Sequence, residues 1–266
     1  MLLTPELHET IVRAELAGIR NGIDRVARLF SDTGAECIEV AGGVAAFAGV
    51  DSPFSKAFGI GVLALICDGD VARITEFYET RNAKPRVFVT PLADPALGRA
   101  LAAASFAPVE YDNILVAADP DAYALRDERI AVASDLETWV HASVAGFAER
   151  RIVAHDDTVA RILASNPDAI VLEGRENDAV VATAVVTVRG ECAALIAGST
   201  LPEYRHRGWQ IATIRDRIAR ARDAGARIIY AAAAPASISE RNFHRCGFTT
   251  LYTRARWDRI AKPRSH

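Results

Sequence analysis

The sequence predicts an α+β protein with two domains, and three observations lead to this prediction. The chain has 266 residues, which at about 150 residues per domain favours two small domains over one large one. Half of the residues (50 %) are hydrophobic and 24 % are charged, as is typical of folded rather than disordered proteins. Short β-like runs alternate with amphipathic helical segments throughout the chain. A polar stretch at 119–128 interrupts the apolar periodicity, so we place one domain at residues 1–125 and the other at residues 126–266.

In the first half, the clearest element is a long helix at residues 5–30, where apolar residues recur at steps of three and four. Thr4 is a suitable N-cap for it, and Pro5 suits the first helical position. Gly and β-branched residues favour strands in the segments that follow. Strands are predicted at 37–47, 58–67, 86–90 and 108–117, and helices at 71–81 and 95–104.

The second half repeats this alternation. The best defined helix runs over 208–224, because Gly225 after it is a typical C-terminal residue in the left-handed conformation. The other helices are predicted at 135–150, 156–163 and 237–246, and strands at 130–133, 170–173, 180–188, 192–199, 228–232 and 248–257.

An internal similarity suggests that the two halves are copies of one unit. Residues 100–117 and 241–258 both have a helical segment, then a small residue, a Phe and a strand. In this correspondence Phe106 matches Phe248 and Ser105 matches Gly247. The observation favours a duplicated α+β unit, with chance similarity between two common helix–turn–strand segments as the alternative.

Composition and charge exclude several classes of protein. A net charge of −3 argues against a nucleic-acid-binding surface, so no nucleic acid is expected as a partner. The four cysteines have no C-x-x-C spacing, so neither a disulfide framework nor a metal site is predicted. The N-terminal residues lack a secretory pattern, and no apolar run approaches the roughly 20 residues of a membrane helix. We therefore expect a cytoplasmic protein without a membrane partner.

The segment 198–212 carries the strongest functional signal. A predicted strand ends near Ser199, and the sequence Arg205-His206-Arg207-Gly208 opens the amphipathic helix at 208–224. Backbone N–H groups are free at a helix N-terminus, and the helix dipole favours an anion there. Gly208 would let the backbone approach a ligand closely, and an excess of basic residues in the second half would add attraction. The segment therefore suits a phosphate group, with an ordinary loop-to-helix junction as the alternative.

This segment resembles motif A of the GNAT acyl-CoA N-acyltransferases, whose core pattern is Arg/Gln-x-x-Gly-x-Gly/Ala. Arg205 and Gly208 match the pattern, whereas Gln210 stands where most of the family has Gly or Ala. The run at 235–248 is similar to motif B of the same family, with Asn242, Arg245, Gly247 and Phe248 at matching positions. The two motifs occur in the family's order, about 30 residues apart, with a helix and a strand between them.

The resemblance implies the fold in more detail: two tandem GNAT-like domains, each a mixed, mostly antiparallel sheet flanked by helices. The first half matches the family less well, because its one helix-start glycine, Gly69, lies between Asp68 and Asp70. These carboxylates would repel a pyrophosphate. We therefore expect a degenerate GNAT-like domain at residues 1–125 and an acetyl-CoA-binding GNAT domain at residues 126–266.

The resemblance also implies an N-acetyltransferase. Acetyl-CoA would be the co-substrate, and an amine of a small molecule or peptide would attack its thioester directly in a ternary complex. The site residues implied for the cofactor are Ser199, Thr200, Leu201, Arg205, His206, Arg207, Gly208, Trp209, Gln210 and Asn242.

Proton transfer is assigned less specifically. Glu191 is the nearest carboxylate to the cofactor loop along the chain and is a candidate general base, with a surface turn residue as the alternative. Where the family often has a tyrosine as general acid, this chain has Phe243. The role is then vacant, filled by water, or taken by Tyr252 or Tyr204.

Two functions from different classes remain open at this stage. One is the N-acetyltransferase, and the other is a non-catalytic acyl-CoA-binding protein that serves as a regulator or scaffold. Phe243 and the lack of a clear base favour the second, whereas the loop at Arg205–Gly208 is compatible with both. Oligomeric state is left open, with a homodimer as one option.

Overall fold

The structure is a computed structural model that describes residues 2–148 and 156–260. The chain divides into two compact units. The N-terminal unit comprises Leu2–Asp112 and the chain from Tyr252 onward, and the C-terminal unit comprises Asn113–Leu251. The units thus differ from a division at residue 125, because two long strands, Phe106–Ala117 and Phe248–Arg259, each contribute residues to both.

The N-terminal unit contains a mixed sheet with helices. Its helices are α1 (Pro5–Leu29), α2 (Asp70–Glu79) and α3 (Pro95–Ala103). Its strands are β1 (Glu36–Val40), β2 (Gly43–Phe47), β3 (Lys56–Phe58), β4 (Arg86–Val89), the first part of β5 (Phe106–Ala117) and the end of the last strand, Phe248–Arg259, which pairs antiparallel with β4. Strands β1, β2 and β3 pair antiparallel in that order, whereas β3 and β4 pair parallel. The crossover between these two parallel strands contains α2.

The C-terminal unit repeats this arrangement. Its elements after β5 are α4 (Pro120–Tyr123), β6 (Ile130–Val132), α5 (Leu136–Phe147), α6 (Asp156–Ala164), β7 (Ala169–Glu176), β8 (Ala179–Arg189), β9 (Cys192–Thr200), α7 (Trp209–Asp223), β10 (Ile228–Ala233), α8 (Ile238–Arg245) and the start of β11 (Phe248–Arg259). Strands β6 to β9 pair antiparallel in sequence, β9 and β10 pair parallel, and β10 pairs antiparallel with β5. The crossover between the parallel strands contains α7.

Helices cover both faces of the C-terminal sheet. Val185 and Val186 are adjacent in β8 and point to opposite faces, because side chains alternate along a strand. Val186 belongs to the core formed with α7 and α8, whereas Val185 packs with Trp139 of α5. The Trp139 indole Nε1 donates to the Leu172 carbonyl oxygen at 2.8 Å, so this buried ring has its polar atom satisfied.

These observations confirm the predicted fold class, a pair of mixed, mostly antiparallel sheets flanked by helices. The predicted helices at 5–30, 71–81, 95–104, 156–163, 208–224 and 237–246 are present with small changes at their ends. The last predicted residues of the helix at 135–150 lie outside the described residues.

Two predicted strands are different in the structure. The segment 37–47 is a hairpin of β1 and β2, because Ala41 and Gly42 adopt positive φ values of 42° and 75° and turn the chain. The predicted strand at 58–67 is limited to Lys56–Phe58, since Gly59 and Gly61 both have a φ of 72° and break the extended conformation.

The predicted internal correspondence has a structural counterpart. Ser105 and Gly247 have similar backbone conformations, with φ values of 65° and 77°, and each ends a helix–turn segment. Phe106 and Phe248 follow them as the first residues of β5 and β11, and both side chains are buried. The two positions therefore perform the same packing role in the two units.

Candidate active site

The candidate site begins where β9 separates from its neighbours. Strand β10 pairs with β9 only from Cys192 to Ala194. On its other side β9 follows β8 up to the pair Val185–Ile196, and the register then shifts before the pair Thr183–Ser199. Ala197 lies in this bulge with a φ of 49°. The bulge leaves main-chain groups of β9 without a strand partner in the register, next to the opening between the parallel strands.

The loop after β9 is fixed by the side chain of Arg205. Its Nε donates to the Thr200 carbonyl oxygen at 3.2 Å, and its Nη2 donates to the Gly146 carbonyl oxygen near the end of α5 at 3.1 Å. Arg205 thus connects the end of the strand to a neighbouring helix. The motif arginine therefore supports the loop in this structure.

The loop presents open backbone N–H groups at the start of α7. His206 and Gly208 have positive φ values of 63° and 83°, and no side chain caps the helix. In the part of the chain that the structure describes, the N–H groups of residues 206–210 donate to no other residue. A Cβ on Gly208 would meet no atom within 4 Å, so the approach to these groups is open. Such a helix start favours an anion.

A cavity of about 630 Å³ connects the loop with the open end of β9. Eight of the ten predicted cofactor residues line it: Ser199, Thr200, Arg205, His206, Gly208, Trp209, Gln210 and Asn242. Residues that the sequence analysis did not assign to the site also line it, among them Gly146, Gly198 and Ser239, and so does Tyr204, which it named as a candidate general acid. A Cβ on Gly146 would lie 2.4 Å from the Ser199 Oγ, so α5 approaches β9 very closely here. The spacing of the motifs along the sequence does not predict this close approach of α5 to β9.

The two remaining predicted residues do not line the cavity. Leu201 donates its N–H to the Val181 carbonyl oxygen at 2.9 Å and continues the sheet. Arg207 forms an ion pair with Glu176 at 2.9 Å, and its guanidinium lies over the Tyr204 ring. Arg207 is exposed beside the open N–H groups, so it can still attract an anion toward the loop.

Gln210, the departure from the family motif, has a defined structural role. Its Oε1 accepts a hydrogen bond from the Asn242 Nδ2 at 2.6 Å, and its Nε2 lies 3.4 Å from the Ser239 Oγ. Asn242 in turn accepts from Arg245 through its Oδ1 at 3.1 Å. The larger side chain thus joins the first turn of α7 to α8 and holds Asn242 at the cavity wall.

Trp209 is mainly a core residue. Its indole ring is buried, and a Cβ on Gly174 would lie 2.9 Å from the ring. The ring belongs to a hydrophobic core cluster, and the Arg129 guanidinium lies 4.7 Å from the ring centre. Trp209 therefore fixes the first helical residue of α7 against the sheet.

Of the three side chains considered for proton transfer, Tyr204 lines the cavity, whereas Glu191 and Tyr252 do not. Glu191 is exposed in the turn between β8 and β9, at the opposite end of β9 from the loop. With nine residues in β9, that end is roughly 30 Å away at ~3.3 Å per residue. Tyr252 belongs to the N-terminal unit, where its buried ring packs against His8 with ring centres 5.2 Å apart. Burial raises the pKa of the Tyr252 phenol.

The described residues that line the cavity include no carboxylate. Its titratable side chains there are Tyr204, Arg205, His206 and Arg245. Phe243 is buried in the core and packs edge-to-face against Phe248, so it does not provide a polar group. The cavity thus offers main-chain groups, hydroxyls and amides in place of an evident acid–base pair.

Taken together, the fold and cavity define a mixed-sheet protein with an open helix start next to a separated pair of parallel strands. The model of the acetyltransferase (GNAT) family matches residues 134–248, and these residues therefore form a domain of the GNAT family. The predicted resemblance is confirmed. A comparison with curated protein sequences finds no match.

Solved structures support the fold over nearly the whole chain. A GCN5-related N-acetyltransferase from Kribbella flavida aligns with a TM-score of 0.67 at 16 % identity, covering 95 % of this chain and 96 % of that one. A GNAT-family acetyltransferase from Colwellia psychrerythraea aligns with a TM-score of 0.55 at 12 % identity, covering 93 % and 97 %. A tandem GNAT protein from the clavulanic acid biosynthesis pathway gives 0.56 at 14 %, covering 83 % and 79 %. At these identities the similarity concerns the fold.

No helix among residues 2–148 and 156–260 combines the length and the apolar composition that crossing a bilayer requires.

Proposed function

We propose that the protein is an N-acetyltransferase that transfers an acetyl group from acetyl-CoA to a primary amine by direct attack in a ternary complex. The observation that carries the proposal is the set of N–H groups at residues 206–210, which have no partner among residues 2–148 and 156–260 and open into the same cavity as the bulge of β9. An anion site and a strand edge in one cavity suit a ligand with a diphosphate and an extended amide-containing arm.

Each part of the proposed site has its own task. The N–H groups of residues 206–210 bind the diphosphate, and the main chain at 199–201 orients the pantetheine arm. The bulge at Ala197 and Gly198 directs main-chain groups toward the acyl carbonyl, where a hydrogen-bond donor stabilises the developing negative charge. Acetyl-CoA supplies the activated thioester. The site then acts mainly by positioning the two reactants.

Proton transfer in this proposal does not depend on a dedicated general acid. A thiol with a pKa of about 8.5 is a tolerable leaving group as its thiolate, so Phe243 in place of a tyrosine is compatible with turnover. The amine nitrogen loses its proton to water, since the described cavity residues include no carboxylate. We assign the acetyl-CoA site to the C-terminal domain at residues 126–266 and regard residues 1–125 as degenerate for this ligand.

The second candidate function is a non-catalytic acyl-CoA-binding regulator or scaffold. The buried Phe243 and the cavity without a carboxylate among its described residues favour it. Both functions need the same binding site, so only turnover distinguishes them.

Titration calorimetry with acetyl-CoA, followed by a thiol-release assay over a panel of amines, tests the proposal. We expect binding by the wild-type protein and none by the double variant Arg207→Glu, Gly208→Val, with both proteins folded by circular dichroism. Glu191→Gln is the control, and it should leave binding and release unchanged because the residue lies at the far end of β9. Unchanged affinity in the double variant contradicts the site, whereas binding without thiol release for any amine supports the scaffold function.

A further inference from the structure

Arg217 is a buried arginine that the proposed chemistry has not yet used. It lies in α7 with 2 % of its surface exposed. Its Nη1 donates to the Ile196 carbonyl oxygen at 3.1 Å and lies 3.5 Å from the Val185 carbonyl oxygen, while its Nε donates to the Thr213 carbonyl oxygen at 3.0 Å. Three main-chain carbonyls thus surround the guanidinium.

The charge of Arg217 has no carboxylate partner among the described residues. The adjacent Asp216 pairs instead with Arg220, at 2.5 Å. Burial lowers the pKa of Arg217 to about 10, so the guanidinium stays charged at neutral pH. A buried cation without an anion is costly unless its hydrogen bonds are satisfied, and the carbonyls of β8 and β9 perform that role here.

The position of the guanidinium coincides with the bulge. Val185 and Ile196 form the last register pair before the shift, and Arg217 is close to the carbonyl oxygens of both. On the same face, a Cβ on Gly198 would lie 3.2 Å from the Arg217 Nη2. The guanidinium therefore fills the space behind the bulge, and Gly198 leaves room for it.

We propose that Arg217 is a positioning residue for acyl transfer, which holds the bulge of β9 at Ala197 in the path that brings the main chain of Gly198 to the cavity wall. This inference rests on the proposed function. The Ile196 carbonyl that accepts from Arg217 and the Ala197 N–H belong to one peptide group. Donation to the carbonyl end polarises the N–H end, because linked hydrogen bonds strengthen one another. Arg217 therefore fixes both the direction and the donor strength of this peptide.

The test uses Arg217→Met, which keeps an unbranched apolar stem but removes the guanidinium with its hydrogen bonds and charge. The control is Arg220→Met in the same helix, which breaks the ion pair with Asp216 and a 3.4 Å contact to the Ile130 carbonyl oxygen, both away from the bulge. For each protein we would measure the melting temperature, the acetyl-CoA dissociation constant, the maximal thiol-release rate with the best amine, and the infrared carbonyl band of bound ¹³C-acetyl-CoA.

In Arg217→Met we expect the maximal rate to fall by about 100-fold, as for a reacting group misplaced by about 1 Å. The dissociation constant should change little, because the N–H groups of residues 206–210 are intact. The carbonyl band should lose the shift to lower frequency that a strong donor causes in the wild-type protein. Arg220→Met should lower the melting temperature but keep the band and the rate.

Unchanged rate and carbonyl band in a folded Arg217→Met protein overturn the inference, and so does an equal loss in Arg220→Met. If Arg217→Met does not fold, Arg217→Lys decides: its loss of the planar fork should lower the rate by about tenfold, and a wild-type rate overturns the inference. If the wild-type protein does not bind acetyl-CoA at all, the proposed function itself fails, which is a separate result.

Discussion

Helices α2 and α7 occupy equivalent places in the two units but begin with opposite chemistry. Each lies in the crossover between a pair of parallel strands, β3 and β4 in one unit, β9 and β10 in the other. Each follows a glycine in the left-handed conformation, Gly69 with a φ of 92° and Gly208 with a φ of 83°. Neither glycine would bring an added Cβ within 4 Å of another atom. The backbone thus presents the same kind of helix start twice.

The side chains around the two glycines differ. Before Gly69, the Cys67 N–H donates to the Asp70 carboxylate at 2.8 Å, and the Ile66 N–H donates to the Asp94 carboxylate at 3.1 Å. Before Gly208, the His206 N–H, which corresponds to that of Cys67, has no partner among the described residues. The Arg205 N–H, which corresponds to that of Ile66, donates to the Pro202 carbonyl oxygen at 3.2 Å and meets no carboxylate there. One helix start is occupied by the protein's own carboxylates, and the other is open and basic.

Cavity volume does not distinguish the two places. The cavity beside Gly69 has a volume of about 960 Å³, larger than the 630 Å³ of the cavity beside Gly208. Its lining includes the carboxylates of Asp68, Glu76 and Glu79. The comparison indicates that charge and unsatisfied N–H groups, more than space, decide where an anionic ligand can bind.

The largest effect that follows from the comparison concerns Asp70. Asp70→Ala leaves the Cys67 N–H without its acceptor and removes the 3.6 Å ion pair with Arg73. We expect the free energy of unfolding to fall by about 1.5–2 kcal/mol, as for the loss of a part-buried hydrogen bond to a charged carboxylate. Urea denaturation followed by circular dichroism measures this loss. Asp68→Ala is the matched control, since Asp68 is exposed, and should change stability by less than about 0.5 kcal/mol.

The same variants also test the ligand side of the comparison. Because α2 is assigned no part in binding acetyl-CoA, both aspartate variants should keep the wild-type dissociation constant. A clear loss of affinity in Asp70→Ala, with the protein still folded, would show that the N-terminal unit contributes to the ligand site.

A smaller effect is expected from a pair of glycine substitutions. Gly208→Ala and Gly69→Ala place a Cβ at the same left-handed conformation, at a cost of about 1–2 kcal/mol in stability for each. Only Gly208→Ala should also weaken acetyl-CoA, by about tenfold or 1.4 kcal/mol, because the methyl group lies where the diphosphate approaches the backbone. Calorimetry and thermal melts of the two variants separate strain from binding.

If both glycine variants bind acetyl-CoA with the wild-type affinity, the assignment of the ligand to α7 is contradicted. Equal loss of affinity in both would mean that strain alone, transmitted through the fold, accounts for the effect.

The helix start at α7 could be predicted because its signal is local. Gly208, the arginines before it and the amphipathic helix after it lie within one short segment. The aspartates around Gly69, Asp68 and Asp70, were equally visible in the sequence, although the hydrogen bond from the Cys67 N–H to Asp70 was not. Side-chain capping over 28 residues, as between Asp94 and Ile66, depends on tertiary structure.

The positions of Glu191 and Tyr252 relative to the cavity also depend on tertiary structure, so the sequence did not reveal that both lie away from it. Only one element, β9, separates Glu191 from the loop along the chain. Because that element is an extended strand, it holds Glu191 far from the loop in space. Tyr252 is four residues after Phe248, yet β11 has by then passed into the other unit. In the sequence, Arg217 is one of several arginines on an amphipathic helix. Its hydrogen bond to the bulge becomes evident only from the packing of α7.

A last difference between the units is the placement of histidine. In the C-terminal unit, the described histidines His141, His206 and His244 are exposed, whereas His8 in α1 of the N-terminal unit is 1 % exposed. Desolvation lowers the pKa of His8 below its ordinary value, and the nearby Glu9 raises it to a lesser extent. Protonation of the buried imidazole is therefore unfavourable in the folded state.

This difference predicts that acid weakens the N-terminal unit first. The unfolded chain binds a proton at His8 near pH 6.5, whereas the folded chain binds it only at lower pH. The associated stability is complete above about pH 6.5 and is lost as the pH falls through the folded pKa. At neutral pH the effect of His8 on stability is therefore smaller than the effects expected for the aspartate and glycine substitutions.

Hydrogen exchange at pH 7 and pH 5 should show that acid speeds the opening of α1 more than that of α7, and His8→Phe should remove this difference. His141→Phe, at an exposed position, should leave it unchanged, and equal acid sensitivity of α1 and α7 in the wild-type protein would contradict a role for His8.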